Sequence, residues 1–195
     1  MPRRTQAERR AQTGVALLAA AADLVVEGGL GALTLARVGE RAGYSRGIVT
    51  HHFGSKQALV AALARTTQSG FVPGVDHAPG LERLLFLVDG YIGALAGSGP
   101  ANRAFLLLWA ESLTSPEIAE TFRARDAGFR ADLRADVAAG IAAGTVREVD
   151  PDDTAVAILG QLRGIALQHH LDPAAVDLDR LRGAVREQWR RALSP

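Results

Sequence analysis

Arg46, Gly47, Ile48, Thr50, His51, His52 and Lys56 form a short run of side chains suited to reading a polyanion. Arg46 can make a two-pronged contact to a guanine edge or hold a phosphate. Ile48 can touch a thymine methyl, and Thr50 can hydrogen-bond to a base edge or a phosphate. Gly47 costs a helix about 1 kcal/mol against alanine but lets a backbone approach closely. Arg46 and Lys56 each occupy the first position of an expected helix, where the macrodipole favours anions and disfavours cations. An isolated helix gains nothing from that arrangement. A docked phosphate would be bound there by the backbone N–H groups and the cation together.

Those side chains need a rigid frame, and the surrounding residues supply one. Thr34 is a good N-cap for a helix through Ala42, with Leu33 and Val38 at the two positions of a hydrophobic staple. Gly43 fits the left-handed position that ends such a helix. Ser45 caps a second helix, with Tyr44 and Val49 repeating the staple. Val49 and Phe53 lie one turn apart and are expected to anchor it inward, and a third start follows at Ser55. Helix, glycine turn, helix is the helix-turn-helix layout, whose second helix enters the DNA major groove. The same geometry also serves plain three-helix packing. Charge favours the nucleic-acid reading: residues 1–56 carry a net +4 and residues 57–195 a net −3, so positive charge gathers at one end of a chain of net +1.

The segment from about Arg9 to Leu59 resembles the DNA-binding domain of the TetR family of bacterial transcriptional regulators. The stretch AGYSRGIVTHHFGSKQAL carries the likeness: a capped recognition helix ends in an aromatic, and a Gly-Ser-Lys start follows. Thr50 stands where relatives usually have a tyrosine that touches the DNA backbone. Ala36 stands where many have arginine, and Arg37 offers the charge from the next position. The resemblance implies a DNA-binding domain over residues 1–69 and a helical effector-binding and dimerisation domain over 81–195. It further implies a ligand-released repressor acting as a homodimer on a palindromic operator; the alternative is an activator or a ligand-independent regulator of the same fold. Thr34, Arg37, Ser45, Arg46, Gly47, Ile48, Thr50, His51, His52 and Lys56 are the expected DNA contacts. Arg3 and Arg4 belong to a basic arm that either reaches phosphates or the minor groove, or is simply solvated.

The fold class expected is all-α, with about nine helices. Hydrophobic residues make up 48% of 195 residues, alanine, leucine and arginine dominate, and alternating strand patterns are scarce. GFVPGVDHAPG, residues 70–80, reads as a connector. Helices are expected from Leu81 to Leu95, from the break at 97–100 to Leu113, from Ser115 to Ala143, from Asp150 to Leu171 and from Asp177 to Leu193. The first helix shows Val15, Leu18, Ala22, Val25 and Val26 as its apolar face. Arg3, Arg4, Arg9 and Arg10 ahead of GVALLAAAA imitate a secretory signal, but Asp23 and Glu27 follow directly. No apolar run approaching the roughly 20 residues of a bilayer span is read here, so no membrane partner is expected. Zero cysteines exclude disulfides and thiolate metal sites and fit a reducing cytoplasmic interior.

Two stripes are candidates for a homodimer contact: Ile158, Leu162 and Ile165 with Gly160 and Gly164, and Leu178, Leu181, Val185 and Trp189. Paired across a two-fold axis they make a four-helix bundle; packed on their own subunit they are core. Phe105, Leu108, Trp109, Phe122 and Phe129 are large enough to line an effector pocket or to be plain core. Asn102, Glu111, Gln161 and His169 are possible orienting polar groups, and such a pocket would favour a largely apolar small molecule. Catalysis and cofactors are not expected. His51-His52 and His169-His170 are adjacent pairs whose rings diverge by about 100° on a helix and do not readily share a metal. No metalloprotease, phosphate-loop, dinucleotide or nucleophile-elbow pattern occurs.

Overall fold

A computed structural model of the chain describes residues 5–66, 77–97 and 99–195, and every regular element among them is an α-helix. In chain order these are α1 (Gln6–Ala32), α2 (Leu35–Ala42), α3 (Arg46–Phe53), α4 (Lys56–Thr66), α5 (Leu81–Leu95), α6 (Gly99–Glu111), α7 (Pro116–Ala142), α8 (Pro151–Leu171) and α9 (Leu178–Leu193). Arg3, Arg4 and most of the expected connector at 70–80 lie outside the described residues.

Local chemistry sets the helix ends. Thr5 and Glu8 form a reciprocal capping box at the start of α1. The Thr34 hydroxyl accepts from Arg37 N, the Asp150 carboxylate from Asp152 N and Asp153 N, and the Asp177 carboxylate from Arg180 N. Gly43 and Gly144 close α2 and α7 at φ +75° and +69°, where a Cβ would be strained.

The chain forms two compact units. One holds α1–α4 together with Pro100–Phe122; the other holds α5 and Arg123–Pro195. Residues 100–122, on the far side of the connector in sequence, therefore pack with the first four helices. Leu17, Leu24, Val25, Leu33, Val38, Val49, Leu59 and Val60 are fully buried in the first unit, each worth about 1.5–3 kcal/mol of transfer free energy. The inward face of α1 is Leu17, Ala20, Ala21, Ala22, Leu24 and Val25; of the expected face Ala22 and Val25 are buried, Leu18 and Val26 half-buried and Val15 solvent-exposed. The buried face extends to Leu17 and Leu24 because the alanine-rich middle of α1 offers apolar residues on neighbouring stripes. By length and composition α1 is also apolar enough to cross a membrane, contrary to the expectation for any segment; helices at the core of soluble proteins meet the same test.

In the second unit α5 packs against α8 and α9. Leu84, Leu85, Val88, Ile92, Leu133, Val137, Ile158, Leu162 and Val185 make its core. Ion pairs Arg182–Asp89 and Arg190–Glu82 edge the α5–α9 contact. Deeper lie two pairs, Arg163–Asp126 at 3.1 Å and Arg83–Asp136 at 3.4 Å. Burial pushes the Asp136 carboxyl above its ordinary pKa, against the pull of Arg83 and of the Gly80 backbone.

Candidate DNA-reading surface

Helices α2 and α3 are joined by a turn whose backbone is held twice. Tyr44 N donates to Gly39 O at 2.7 Å and Gly43 N to Glu40 O at 3.2 Å, the paired closure of a Schellman motif. Gly39 is the residue that sequence reasoning missed here. A Cβ at that position would lie 2.8 Å from Tyr44 O and 3.2 Å from Arg46 N, so the turn passes against α2 only because the side chain is absent.

Ser45 caps α3 by accepting from Ile48 N, and fully buried Val49 fixes the helix to the core. Tyr44 and Phe53 were both expected inward, yet Tyr44 stays 37% exposed and Phe53 is only half-buried. An eight-residue helix lying on a small core buries one stripe, and Val49 occupies it. Arg46, Gly47, Ile48, Thr50 and His51 face solvent, with His52 partly covered. Thr50 Oγ1 donates back to Arg46 O at 3.0 Å. Gly47 meets nothing closer than Ser45 Oγ at 3.6 Å, so packing within the chain does not demand a glycine there. Thr34 and Arg37 are exposed at the start of α2, and Arg41 forks onto Glu27 with two 2.7 Å bonds, tying α2 to α1.

Lys56 has a partner inside the protein. Its Nζ donates to Leu30 O at 2.9 Å, which accounts for a cation at the first position of α4 without invoking a phosphate. The positive surface thus rests on Arg37, Arg46 and the arginines at the start of α1; burial, and then the field of Arg10, lower the His52 pKa.

Two family sequence patterns match this chain. Residues 17–63 fit the one described as bacterial regulatory proteins, tetR family, and residues 80–194 fit the BetI-type transcriptional repressor C-terminal domain. The chain belongs to the TetR family of bacterial transcriptional regulators. This TetR-family chain carries both α2 and α3 within the residues that the first pattern matches. It is 32% identical over 123 residues to the HTH-type transcriptional regulator BetI of Stenotrophomonas maltophilia (strain R551-3), covering 60% of this chain and 63% of that protein, just under two thirds of its length. It is 24% identical over 172 residues to BetI 1 of Chromohalobacter salexigens, covering 85% of this chain and 83% of that one. The crystal structure of AibR with isovaleryl coenzyme A and operator DNA superposes with a TM-score of 0.70 at 20% identity, over 90% of this chain and 97% of that one. At that identity the likeness is one of fold.

The effector-pocket candidates of this TetR-family chain fall in different units. Phe105 and Phe122 pack with their rings tilted by 51° at 5.4 Å between centres and, with Leu108, are fully buried in the first unit, where Trp109 is partly exposed. Phe129 lies in the second unit beneath the guanidinium groups of Arg125 and Arg163, and His169 is partly buried on α8. A cleft of about 200 Å³ is lined by Ile165, Gln168, Val176, Asp177, Arg180 and Leu181, none of them an expected pocket residue except that Ile165 and Leu181 were dimer candidates. Gln161 is hydrogen-bonded to Trp189 Nε1 and Gln188.

The dimer stripes are redistributed. Ile158, Leu162, Ile165 and Val185 are buried within their own subunit, and Trp189 is tied to α8 through Gln161. Leu178 and Leu181 are half-buried. What α8 leaves outward is Val156 at 55% exposure, Gly160, Leu167 at 44% and Leu171 at 87%, with Gly164 partly covered on the same side. α8 is apolar on two opposite stripes, and the periodicity selected the inner one.

Proposed function

We propose that this chain is a cytoplasmic repressor that binds a palindromic operator as a homodimer and releases it on binding a small, largely apolar effector. The observation that carries this is the exposed polar face of α3, held to the core by Val49 and set by the glycine-packed turn at Gly39. Arg46, Ile48 and Thr50 read base edges or phosphates, while Arg37 and the capped start of α2 grip the backbone. Two such helices must stand roughly 34–36 Å apart to meet successive major grooves. The outward stripe of α8, Val156, Gly160, Gly164, Leu167 and Leu171, together with Leu178 and Leu181, is the surface we assign to the partner subunit. Phe105, Leu108 and Phe122, buried together in the first unit, are the side chains we assign to an apolar ligand, and AibR, which was crystallised with a coenzyme A thioester and operator DNA, supports a ligand-responsive reading. The ligand must bind the DNA-incompetent shape more tightly, and that difference in affinity sets the strength of release.

The test is a fluorescence-anisotropy titration of the full chain against the duplex upstream of its own gene, at several salt concentrations. Specific, salt-dependent binding is expected, with Arg46→Ala weakening it by about tenfold or more. Equal affinity for unrelated duplex, or indifference to both Arg46→Ala and Arg37→Ala, would sink this assignment.

A further inference from the structure

Helix α1 is broken at Gly28 (φ −156°, ψ 25°) and Gly29 (φ +64°, ψ −162°), which interrupts its own hydrogen-bond ladder just before Leu30. The two backbone groups of Leu30 are then taken by charged side chains from different helices. Leu30 N donates to Glu111 Oε2 at 3.0 Å, and Leu30 O accepts from Lys56 Nζ at 2.9 Å as well as from Leu33 N. Both charge-assisted bonds are partly buried, and burial strengthens such bonds while raising the cost of leaving either partner unmet. A Cβ on Gly29 would meet the same Glu111 oxygen at an ordinary contact distance of 3.5 Å, so it is the φ of +64° that favours glycine there.

The positions of the two gripping residues give the arrangement a consequence. Lys56 opens α4 and is separated from the end of α3 only by Gly54 and Ser55. Glu111 is the last residue of α6, which packs in the same compact unit as α1–α4 and is joined by its chain to the other unit. We propose that Glu111 is a positioning residue for DNA reading: through the Leu30 backbone and Lys56 it holds the start of α4, and hence α3, in one orientation. A shift at the end of α6 that removes the carboxylate from Leu30 N–H loosens the reading helix without touching DNA or effector. The inference rests on the proposed function only in taking α3 as the helix that reads.

Hydrogen–deuterium exchange of the full chain without DNA tests this, so a failure to bind the upstream duplex would count against the functional reading and leave this test intact. Glu111→Ala is expected to speed exchange in segments 28–33 and 46–60 by about tenfold, with α8 and α9 at wild-type rates. Glu111→Gln, whose amide oxygen still accepts from Leu30 N–H, is expected to restore most of the protection, and Lys56→Met to reproduce the loss. Faster exchange confined to 28–33 with α3 unchanged would overturn the proposal. A uniform rise across all helices that follows a lower Tm would overturn it too, because Glu111 would then be stabilising the fold alone. If Glu111→Ala does not fold, Glu111→Asp, whose carboxylate is one methylene short of Leu30 N–H, decides: a graded rise restricted to 28–33 and 46–60 supports the proposal, and any other pattern overturns it.

Discussion

Burial, followed by the fields of Arg10 and His51, holds the His52 imidazole below its ordinary pKa, so in the free protein it is neutral at pH 7. A depressed histidine stabilises the fold above its unfolded value of about 6.5 and withdraws that stability as pH falls through the folded pKa. DNA acts in the opposite direction, since phosphates favour the imidazolium. Operator affinity is therefore expected to tighten as pH drops below about 6.5, by at most about tenfold per pH unit for one proton, while Tm falls. Anisotropy titrations at stepped pH check this, and His52→Gln should flatten the slope. Gly47 separates stability from reading in another way. With room for a Cβ, Gly47→Ala should stabilise α3 by about 1 kcal/mol and raise Tm. DNA affinity should nevertheless drop if the helix backbone lies against the duplex, and a variant improved in both respects would remove Gly47 from the contact surface.

Among the elements, the α2–α3 turn has little slack, because its close contacts are to backbone. Gly39→Ala places a methyl 2.8 Å from Tyr44 O and 3.1 Å from the Ser45 carbonyl carbon, and both are backbone atoms that cannot rotate away. The expected cost is about 1–3 kcal/mol, read by thermal unfolding, together with loss of DNA binding even at temperatures where the variant is folded. Gly43 and Gly39 show how far such an element is legible beforehand. Gly43 sits at the end of an apolar period, where a left-handed residue is the known way to stop a helix. Gly39 is mid-helix, and only the neighbouring backbone, absent from any local pattern, requires it. The partner of Lys56 was illegible for the same reason. The lysine's position at a helix start suggested a phosphate, whereas its acceptor is the Leu30 carbonyl, 26 residues earlier in the last turn of α1.

For the molecule as a whole, the number of phosphates engaged depends on assembly. A modest positive footprint of +4 in the first 56 residues suits two copies better than one. Leu167→Asp with Leu171→Asp should therefore yield monomers in sedimentation experiments while leaving the helical content intact, because both side chains are exposed in the single chain. The slope of log affinity against log salt, about −0.9 for each phosphate neutralised, should then fall to about half. An unchanged oligomeric state would move the interface off this stripe.

Among the described residues, most helix ends and the helix-turn-helix layout were determined by the sequence itself, because caps, left-handed glycines and short-range spacing act within a few residues. Thr34, Gly43, Ser45, Asp150 and Asp177 each do their work on backbone groups close by. Tertiary structure alone decided which of two apolar stripes on α8 turns inward, which compact unit receives residues 100–122, and that Glu111 and Lys56 meet at Leu30. Those outcomes depend on the surface each helix finds opposite it. A helix that is apolar on two sides carries no record of which side will be covered.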